Sequence, residues 1–140
     1  MRRTLLVAIA LLVISADADG ASLRLPAFAG CLDTPQTRPS DVQLACGDGN
    51  FFLTQVKWSS WTDASAAGLA TGHQNDCKPF CAAGHFHLYR VAVRVFRPET
   101  CRNGARKFTR VTFSFVSTRP AGVARSGTFK SPFYLGRGCP

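Results

Sequence analysis

The sequence predicts an all-β protein: a small, single-domain antiparallel β-sandwich or barrel stapled by disulfides. After residue 18, helical periodicity is nearly absent, and apolar residues alternate with polar ones at period 2. Gly, Pro, Asn and Asp separate these runs and suit turns. The third observation is an even number of cysteines behind an export signal: Cys31, Cys46, Cys77, Cys81, Cys101 and Cys139. Strands with one apolar face each must close on one another to bury it.

The first 18 residues have the features of a secretory signal peptide. Two arginines precede an unbroken apolar run at residues 5–14, and residues 16–18 supply the small side chains of a cleavage site. The run is half of the roughly 20 residues that a membrane-spanning helix needs. We therefore predict a signal peptide over residues 1–18, a single disulfide-stapled β domain over residues 19–140, and a secreted, extracellular protein without a transmembrane segment.

Residues 28–31, Phe-Ala-Gly-Cys, also resemble a lipoprotein processing site. Such a site should follow the apolar run directly, whereas three charged residues intervene here. A lipid on Cys31 would also leave an odd number of cysteines for pairing. Mass spectrometry of the mature N-terminus distinguishes the two readings.

Two strands are predicted around a turn rich in Gly and Asn. Residues 42–46 alternate in polarity, and residues 47–50 tolerate the positive φ angles of a hairpin turn. A second strand begins at Phe51 and continues to about Trp58. Residues 62–84, rich in Ala, Gly and Ser, are interpreted as a long connection.

Trp58 and Trp61 are three residues apart, so a continuous strand would place them on opposite faces. One ring would then belong to the core, and the other could be a stacking platform for a sugar or a base. A bulge at Ser59 and Ser60 would instead bury both rings.

The best-defined elements are two alternating runs, residues 89–96 and 109–115, on either side of Asn103 and Gly104. A two-residue loop would put their apolar sets on opposite faces, because a slip of one residue exchanges the faces of a strand. A three-residue loop with Gly104 in the left-handed region repairs this, so we predict a bulged hairpin. Its register pairs Val95 with Val111 and Val93 with Phe113.

A last strand is predicted from Thr128 to about Leu135, with Pro132 suited to a sheet edge. Pro98 is expected to add an irregularity near the base of the hairpin. The total is five or six antiparallel strands.

Strand polarity suggests one disulfide pairing among the fifteen that six cysteines allow. Pro79 favours a chain reversal, which predicts a local bond between its flanking cysteines. The ends of the first and third predicted strands are expected to meet at one end of the fold. The resulting bonds are Cys77–Cys81, Cys46–Cys101 and Cys31–Cys139.

Charge is distributed unevenly along the chain. Residues 19–76 contain six acidic and three basic side chains, whereas residues 77–140 contain twelve Lys or Arg and a single acid, Glu99. A cationic half attracts anionic polymers and surfaces, although a merely solvated face would have the same composition. The candidate anion-binding residues are those expected to point outward from the hairpin: Arg90, Arg94, Lys107 and Arg110, with Arg106 beside them.

Soft ligands cluster at residues 77–87 in the pattern C-x3-C-x3-H-x-H. Sulfur and imidazole bind zinc, but the spacing differs from that of a zinc finger, and oxidation of Cys77 with Cys81 would remove both sulfurs. No cofactor is therefore predicted. A two-histidine copper or zinc site on His85 and His87 is the alternative.

Support for catalysis is limited to histidines. The sequence has no nucleophile elbow, and paired cysteines leave no free thiol. A histidine with a carboxylate partner could act as a general base. The available combinations are His73 with Asp76 and either His85 or His87 with Glu99.

Four segments, residues 44–50, 58–61, 75–87 and 108–110, resemble a family of small exported actinobacterial proteins. The resemblance extends from about residue 40 to residue 121, and the cysteine-rich segment is its most specific part. It implies secretion and a single β domain, and it implies nothing about mechanism.

The leading functional expectation is a secreted, non-enzymatic protein that binds anionic polymer or cell-envelope glycan through a basic face. The alternative is a small secreted hydrolase or metal-binding protein that uses His85 and His87. An enzyme should bring a carboxylate within reach of a histidine, whereas a binding module need not.

Overall fold

The computed structural model describes residues 24–31 and 34–131. The signal peptide and its cleavage site lie outside these residues. The described chain forms a meander in which each strand pairs antiparallel with the next. The strands are β1 Val42–Gln43, β2 Phe51–Trp61, β3 Ser65–Asn75, β4 Phe86–Thr100, β5 Arg106–Phe115 and β6 Ser126–Lys130. This arrangement confirms the predicted all-β, antiparallel, disulfide-stapled class.

Helical structure in the described residues is limited to one 3₁₀ turn, Cys81–Ala83. Among those residues, no helix has the length and apolar character needed to cross a membrane.

The sheet curls around one apolar face. Phe51 on β2 contacts Phe113 on β5 with ring centroids 4.9 Å apart, although two strands separate them in the sheet. Strands that are not neighbours can touch in this way only because the sheet is strongly twisted and bent. The least exposed core side chains include Leu53, Val91, Val95, Val111 and Phe115.

The N-terminal segment, residues 24–31, lies between β5 and β1. Ala27 exchanges two backbone hydrogen bonds with β5, each 2.9 Å long, and the Cys31 N–H donates to the Gln43 carbonyl on β1 at 3.1 Å. Phe28, between them, is only 1% exposed. The segment therefore covers the core between β1 and the first residues of β5, which do not pair with β6.

Strand β2 keeps one face inward by means of two bulges. Leu53, Val56, Trp58 and Trp61 are separated by three, two and three residues, and each three-residue interval contains a register shift. Because a bulge adds one residue to its strand, all four side chains stay on the core side. The predicted bulge between the two tryptophans is present and puts both rings on the core side, where they pack edge to face at 4.7 Å. Trp61 is buried, but Trp58 is only partly buried, so the prediction that the bulge buries both rings is confirmed for Trp61 alone.

The prediction of a long connection at residues 62–84 is wrong. Residues 65–75 of that segment form β3, an interior strand that pairs with β2 and β4 along its whole length. Small side chains are required there because neighbouring strands approach closely. A Cβ on Gly68 would lie 2.6 Å from the Lys57 carbonyl oxygen, and one on Gly72 would lie 2.6 Å from Val91 Cγ2.

The β4–β5 hairpin confirms the predicted register. Val95 pairs with Val111, Val93 pairs with Phe113, and Gly104 has a φ of +77°. The Cys101 N–H donates to the Ala105 carbonyl at 2.8 Å, so the loop contains three residues.

Other predicted details near the ends of strands differ from the structure. Pro98 continues the ladder opposite Phe108 with no register shift, and the local irregularity is the positive φ of +55° at Arg97. The last strand ends at Lys130, and the remainder of the predicted strand, residues 132–135, lies outside the described residues.

Two disulfides join described cysteines. The local bond Cys77–Cys81 is confirmed. The predicted Cys46–Cys101 bond is wrong, because Cys46 bonds to Cys31, which also excludes the predicted Cys31–Cys139 bond. Cys101 is disulfide-bonded as well, and Cys139 lies outside the described residues.

The error in pairing follows from the missed strand. Because β3 reverses the chain once more, β4 runs in the same direction as β2. Cys46 precedes the start of β2, whereas Cys101 follows the end of β4, so these cysteines lie at opposite ends of the sheet. The N-terminal segment instead brings Cys31 beside β1, with a Cα–Cα distance of 4.9 Å to Cys46.

Candidate functional site

The candidate site is the outer face of the curled sheet, the side opposite the core. Because side chains alternate along a strand, every second residue of β4 from Phe86 to Phe96 points away from the buried valines. The register then places outward residues of neighbouring strands in rows. In the middle of the face these rows are Thr54–Thr71–Arg90, Lys57–Leu69–Ala92–Ser114 and Ser60–Ala67–Arg94–Thr112.

Three of the four predicted anion-binding residues share this face. Arg90 and Arg94 are exposed and four residues apart on β4, while Arg110 lies on β5 opposite Phe96. Lys130 on β6 lies opposite Arg110 and adds a fourth cation to the outer face. The β4–β5 register is therefore what brings these cations together.

Arg94 is held in place by an aromatic ring. Its guanidinium carbon lies 5.3 Å from the centroid of Phe96, a cation–π geometry. An ordered guanidinium loses less side-chain entropy when it binds an anion than one that samples many rotamers.

Neither Arg90 nor Arg94 has a carboxylate within ion-pair distance in the part of the chain that the structure describes. Both guanidinium groups are therefore available to an external anion.

Lys107 takes a different position from the other three. It lies opposite Glu99 on β4 and forms a parallel bridge with Ala27 of the N-terminal segment. Regular alternation is interrupted between Lys107 and Arg110, because Phe108 and Val111, three residues apart, are both buried in the core. Arg106 donates a hydrogen bond to the Asp63 carbonyl at 3.1 Å and lies at the same end.

The opposite end of the outer face is aromatic and apolar. The Phe52 ring stacks on His73 with centroids 4.4 Å apart and meets Phe86 edge to face at 5.4 Å. Leu88, opposite His73 in the register, is 65% exposed. The outer face is thus graded from a cationic end to an apolar end.

An open groove of about 770 Å³ crosses the middle of this face between β2 and β4. The charged residues that line it are Lys57 and Arg90, and its apolar lining includes Leu69 and Leu88. The groove could not be predicted from the sequence without β3, the strand that lies between β2 and β4. That residues 65–75 pair with strands on both sides can be recognised only from the whole sheet.

The predicted histidine–carboxylate pairs are replaced by a different one. His87 Nε2 lies 3.0 Å from Asp76 Oδ2, across the base of the β3–β4 loop. His73 instead bonds Thr54 Oγ1 at 2.9 Å, and Glu99 lies opposite Lys107 at the other end of β4.

Asp76 is fixed by its surroundings. Its Oδ1 atom accepts hydrogen bonds from the backbone N–H groups of Lys78 and His85 at 3.1 and 3.0 Å. The hydrogen bond with His87, followed by these two backbone bonds, holds the pKa of the Asp76 carboxyl well below its ordinary range. The carboxylate therefore organises the loop and orients the imidazole.

A small concavity of about 310 Å³ lies beside this pair. His87, Asp76, Lys78 and Tyr89 contribute to its lining. Two nitrogen or oxygen ligands alone make a weak metal site, and among the described residues no group of three or more His, Cys, Asp or Glu side chains could hold a metal ion. His85 contributes its backbone to the Asp76 contact and has an exposed side chain.

A buried amide keeps the disulfide loop rigid. Asn75 Nδ2 donates to Asn50 Oδ1 at 2.9 Å and to the Cys81 carbonyl at 2.8 Å, while its Oδ1 accepts from the Cys77 N–H at 2.9 Å. A Cβ on Gly84 would lie 2.1 Å from that Oδ1 atom, so the contact requires glycine.

These features define the class of the protein: a small disulfide-stapled β domain with a graded cationic and apolar outer face. No protein-family model, curated protein or solved structure matches the chain. The resemblance to small exported actinobacterial proteins therefore stays a prediction.

Proposed function

We propose that this protein is a secreted, non-enzymatic module that binds anionic polymer, including anionic cell-envelope glycan, through its outer face. The observation that carries the proposal is the β4–β5 register, which aligns Arg90, Arg94 and Arg110 on one side. The disulfides are compatible with an oxidising, extracellular compartment.

Charge on this face supports the proposal. From Cys77 to the end of the chain the sequence has a single acid, Glu99, which lies near the hairpin loop. An anionic polymer that follows the outer face therefore meets arginines without an intervening carboxylate. Such binding releases counterions and weakens steeply as salt rises.

Heparin-affinity chromatography of residues 19–140 over a salt series tests the proposal. The Arg90→Ser/Arg94→Ser variant should elute at lower salt, and its salt slope should fall by about one for each lost contact. The matched control is Arg24→Ser/Arg102→Ser, which removes the same charge from two exposed positions outside the outer rows. Equal elution of the two variants would show that net charge, not the outer face, determines retention.

A small secreted hydrolase that uses His87 is the second candidate, and the Asp76–His87 contact favours it. In this scheme Asp76 orients the His87 imidazole through its Nε2 atom, which leaves Nδ1 as the general base. A fluorogenic RNA substrate tests a nuclease of this kind. Turnover that disappears in His87→Gln and falls in Asp76→Asn would support hydrolysis, whereas turnover equal to a buffer blank would exclude it for this substrate.

A further inference from the structure

The apolar end of the outer face is unusually exposed for a hydrated surface. Phe86 and Leu88, adjacent outward positions on β4, are 47% and 65% exposed. Val116, the next residue after β5, is 48% exposed, and its N–H donates to the Arg90 carbonyl. Isolated exposed apolar residues are common on proteins, but a contiguous group beside a cation marks an interaction surface.

Rigid contacts maintain this exposure. Phe86 packs edge to face on Phe52, which stacks on His73, so the aromatic side chains are braced against one another. The disulfide-closed loop at the start of β4 is held by Asn75. The group is thus presented in a fixed arrangement and does not need to reorganise on binding.

The groove in the middle of the face has the shape and charge for an extended anionic partner. It is open along the surface, whereas sites for small molecules usually enclose most of their ligand. Its charged lining consists of Lys57 and Arg90, with Leu69 and Leu88 beside them. A hydrophilic polymer would use the two cations and leave the leucines in water.

We infer that the outer face docks on an anionic phospholipid bilayer, with lipid phosphates at Lys57 and Arg90 and the interfacial region against Leu88 and Phe86. This inference rests on the proposed function, because both use the same basic face. A bilayer interface offers phosphate and hydrocarbon within a few ångströms of each other. Cationic side chains and aromatic or aliphatic ones together are the combination that such interfaces bind.

Vesicle co-sedimentation tests the inference with residues 19–140 and three variants. The vesicles contain either phosphatidylcholine alone or an equal mixture with phosphatidylglycerol. Leu88→Ser should reduce the affinity for the anionic vesicles about fivefold, because it removes a partly inserted aliphatic chain, and should leave heparin elution unchanged. The matched control Leu25→Ser alters another exposed leucine, 43% exposed, on the N-terminal segment and should change neither result. Arg90→Ser/Arg94→Ser should weaken both the sedimentation with anionic vesicles and the retention on heparin.

The outcomes separate the inference from the proposed function. Heparin retention without sedimentation on anionic vesicles overturns the inference and leaves the polymer proposal standing. Sedimentation that Leu88→Ser does not change also overturns it, since charge alone would then hold the lipid. Equal binding to neutral and to anionic vesicles overturns the assignment of Lys57 and Arg90 to lipid phosphate. Leu88-dependent vesicle binding without heparin retention supports lipid docking and contradicts the polymer proposal.

Discussion

The Asp76 carboxylate shows how a single side chain organises the β3–β4 loop. It accepts hydrogen bonds from two backbone N–H groups and contacts His87, while its own side chain is 25% exposed. Its charge thus serves local structure whether or not the neighbouring imidazole has a chemical role.

Asp76→Asn should lower the melting temperature at pH 7, and the difference from the wild type should narrow under acidic conditions. The hydrogen bonds lower the folded-state pKa of Asp76 from its ordinary value of 3.8. A lowered pKa means that the stabilisation is complete above about pH 4 to 5 and is lost as the pH falls toward the folded-state value.

Thermal unfolding followed by circular dichroism from pH 3 to pH 7 measures this effect. Asp63→Asn, on the exposed β2–β3 turn, is the control and should differ little from the wild type. A difference in melting temperature between Asp76→Asn and the wild type that stays constant down to pH 3 would contradict a role for the carboxylate charge.

Trp61 is a second residue whose polar atom has a structural task. The ring is 6% exposed, and its Nε1 donates to the carbonyl of the buried Pro26 at 2.9 Å. Trp61→Phe should destabilise the fold by about 1–3 kcal/mol, because it leaves that carbonyl without its donor. Urea unfolding followed by circular dichroism measures the change. Trp58→Phe is the comparison: Trp58 Nε1 also donates to a carbonyl, that of Pro39 at 2.8 Å, but its ring is only partly buried, so the loss of stability should be smaller. An equal or larger loss in Trp58→Phe would contradict the dependence on burial.

At the scale of elements, β3 depends on its small residues. A Cβ on Gly68 would press on the Lys57 carbonyl oxygen, a backbone atom that cannot rotate away. Gly68→Ala should therefore cost about 1–3 kcal/mol, the usual range for overpacking. The control Gly47→Ala has no atom within 4 Å of the added Cβ and should be within about 0.5 kcal/mol of the wild type. Chemical denaturation of both variants checks the prediction, and equal stabilities would show that the neighbouring strand gives way.

Strand β2 and the β4–β5 hairpin show which elements local sequence can determine. The hairpin alternates over seven residues on each side of a short loop, so only one register buries both apolar sets. Two bulges break the alternation of β2, and its inward residues are recognisable only from their partners on β3.

At the scale of the whole molecule, the disulfides hold segments that lie outside the long strands. Cys31–Cys46 ties the N-terminal segment to the turn after β1, and Cys77–Cys81 closes the β3–β4 loop. Cys101 is disulfide-bonded too, and we expect its partner to be Cys139, the remaining cysteine of the sequence. Non-reducing peptide mapping of the exported protein should recover a Cys101–Cys139 peptide and no free thiol. A Cys46–Cys101 peptide would contradict the topology described above.

The sequence by itself determined the all-β class, the register of the β4–β5 hairpin, the Cys77–Cys81 bond and the arginines on one face of that hairpin. Each of these depends on residues close together in the chain, where alternation and loop length leave few solutions. Only the tertiary structure decided that residues 65–75 form a strand, that Cys46 bonds to Cys31, and that His87 meets Asp76. Glycine and alanine give no local strand signal, and their small size becomes meaningful only when neighbouring strands approach. Once that strand was missed, the direction of every later strand was reversed, and contacts that depend on direction could not be predicted.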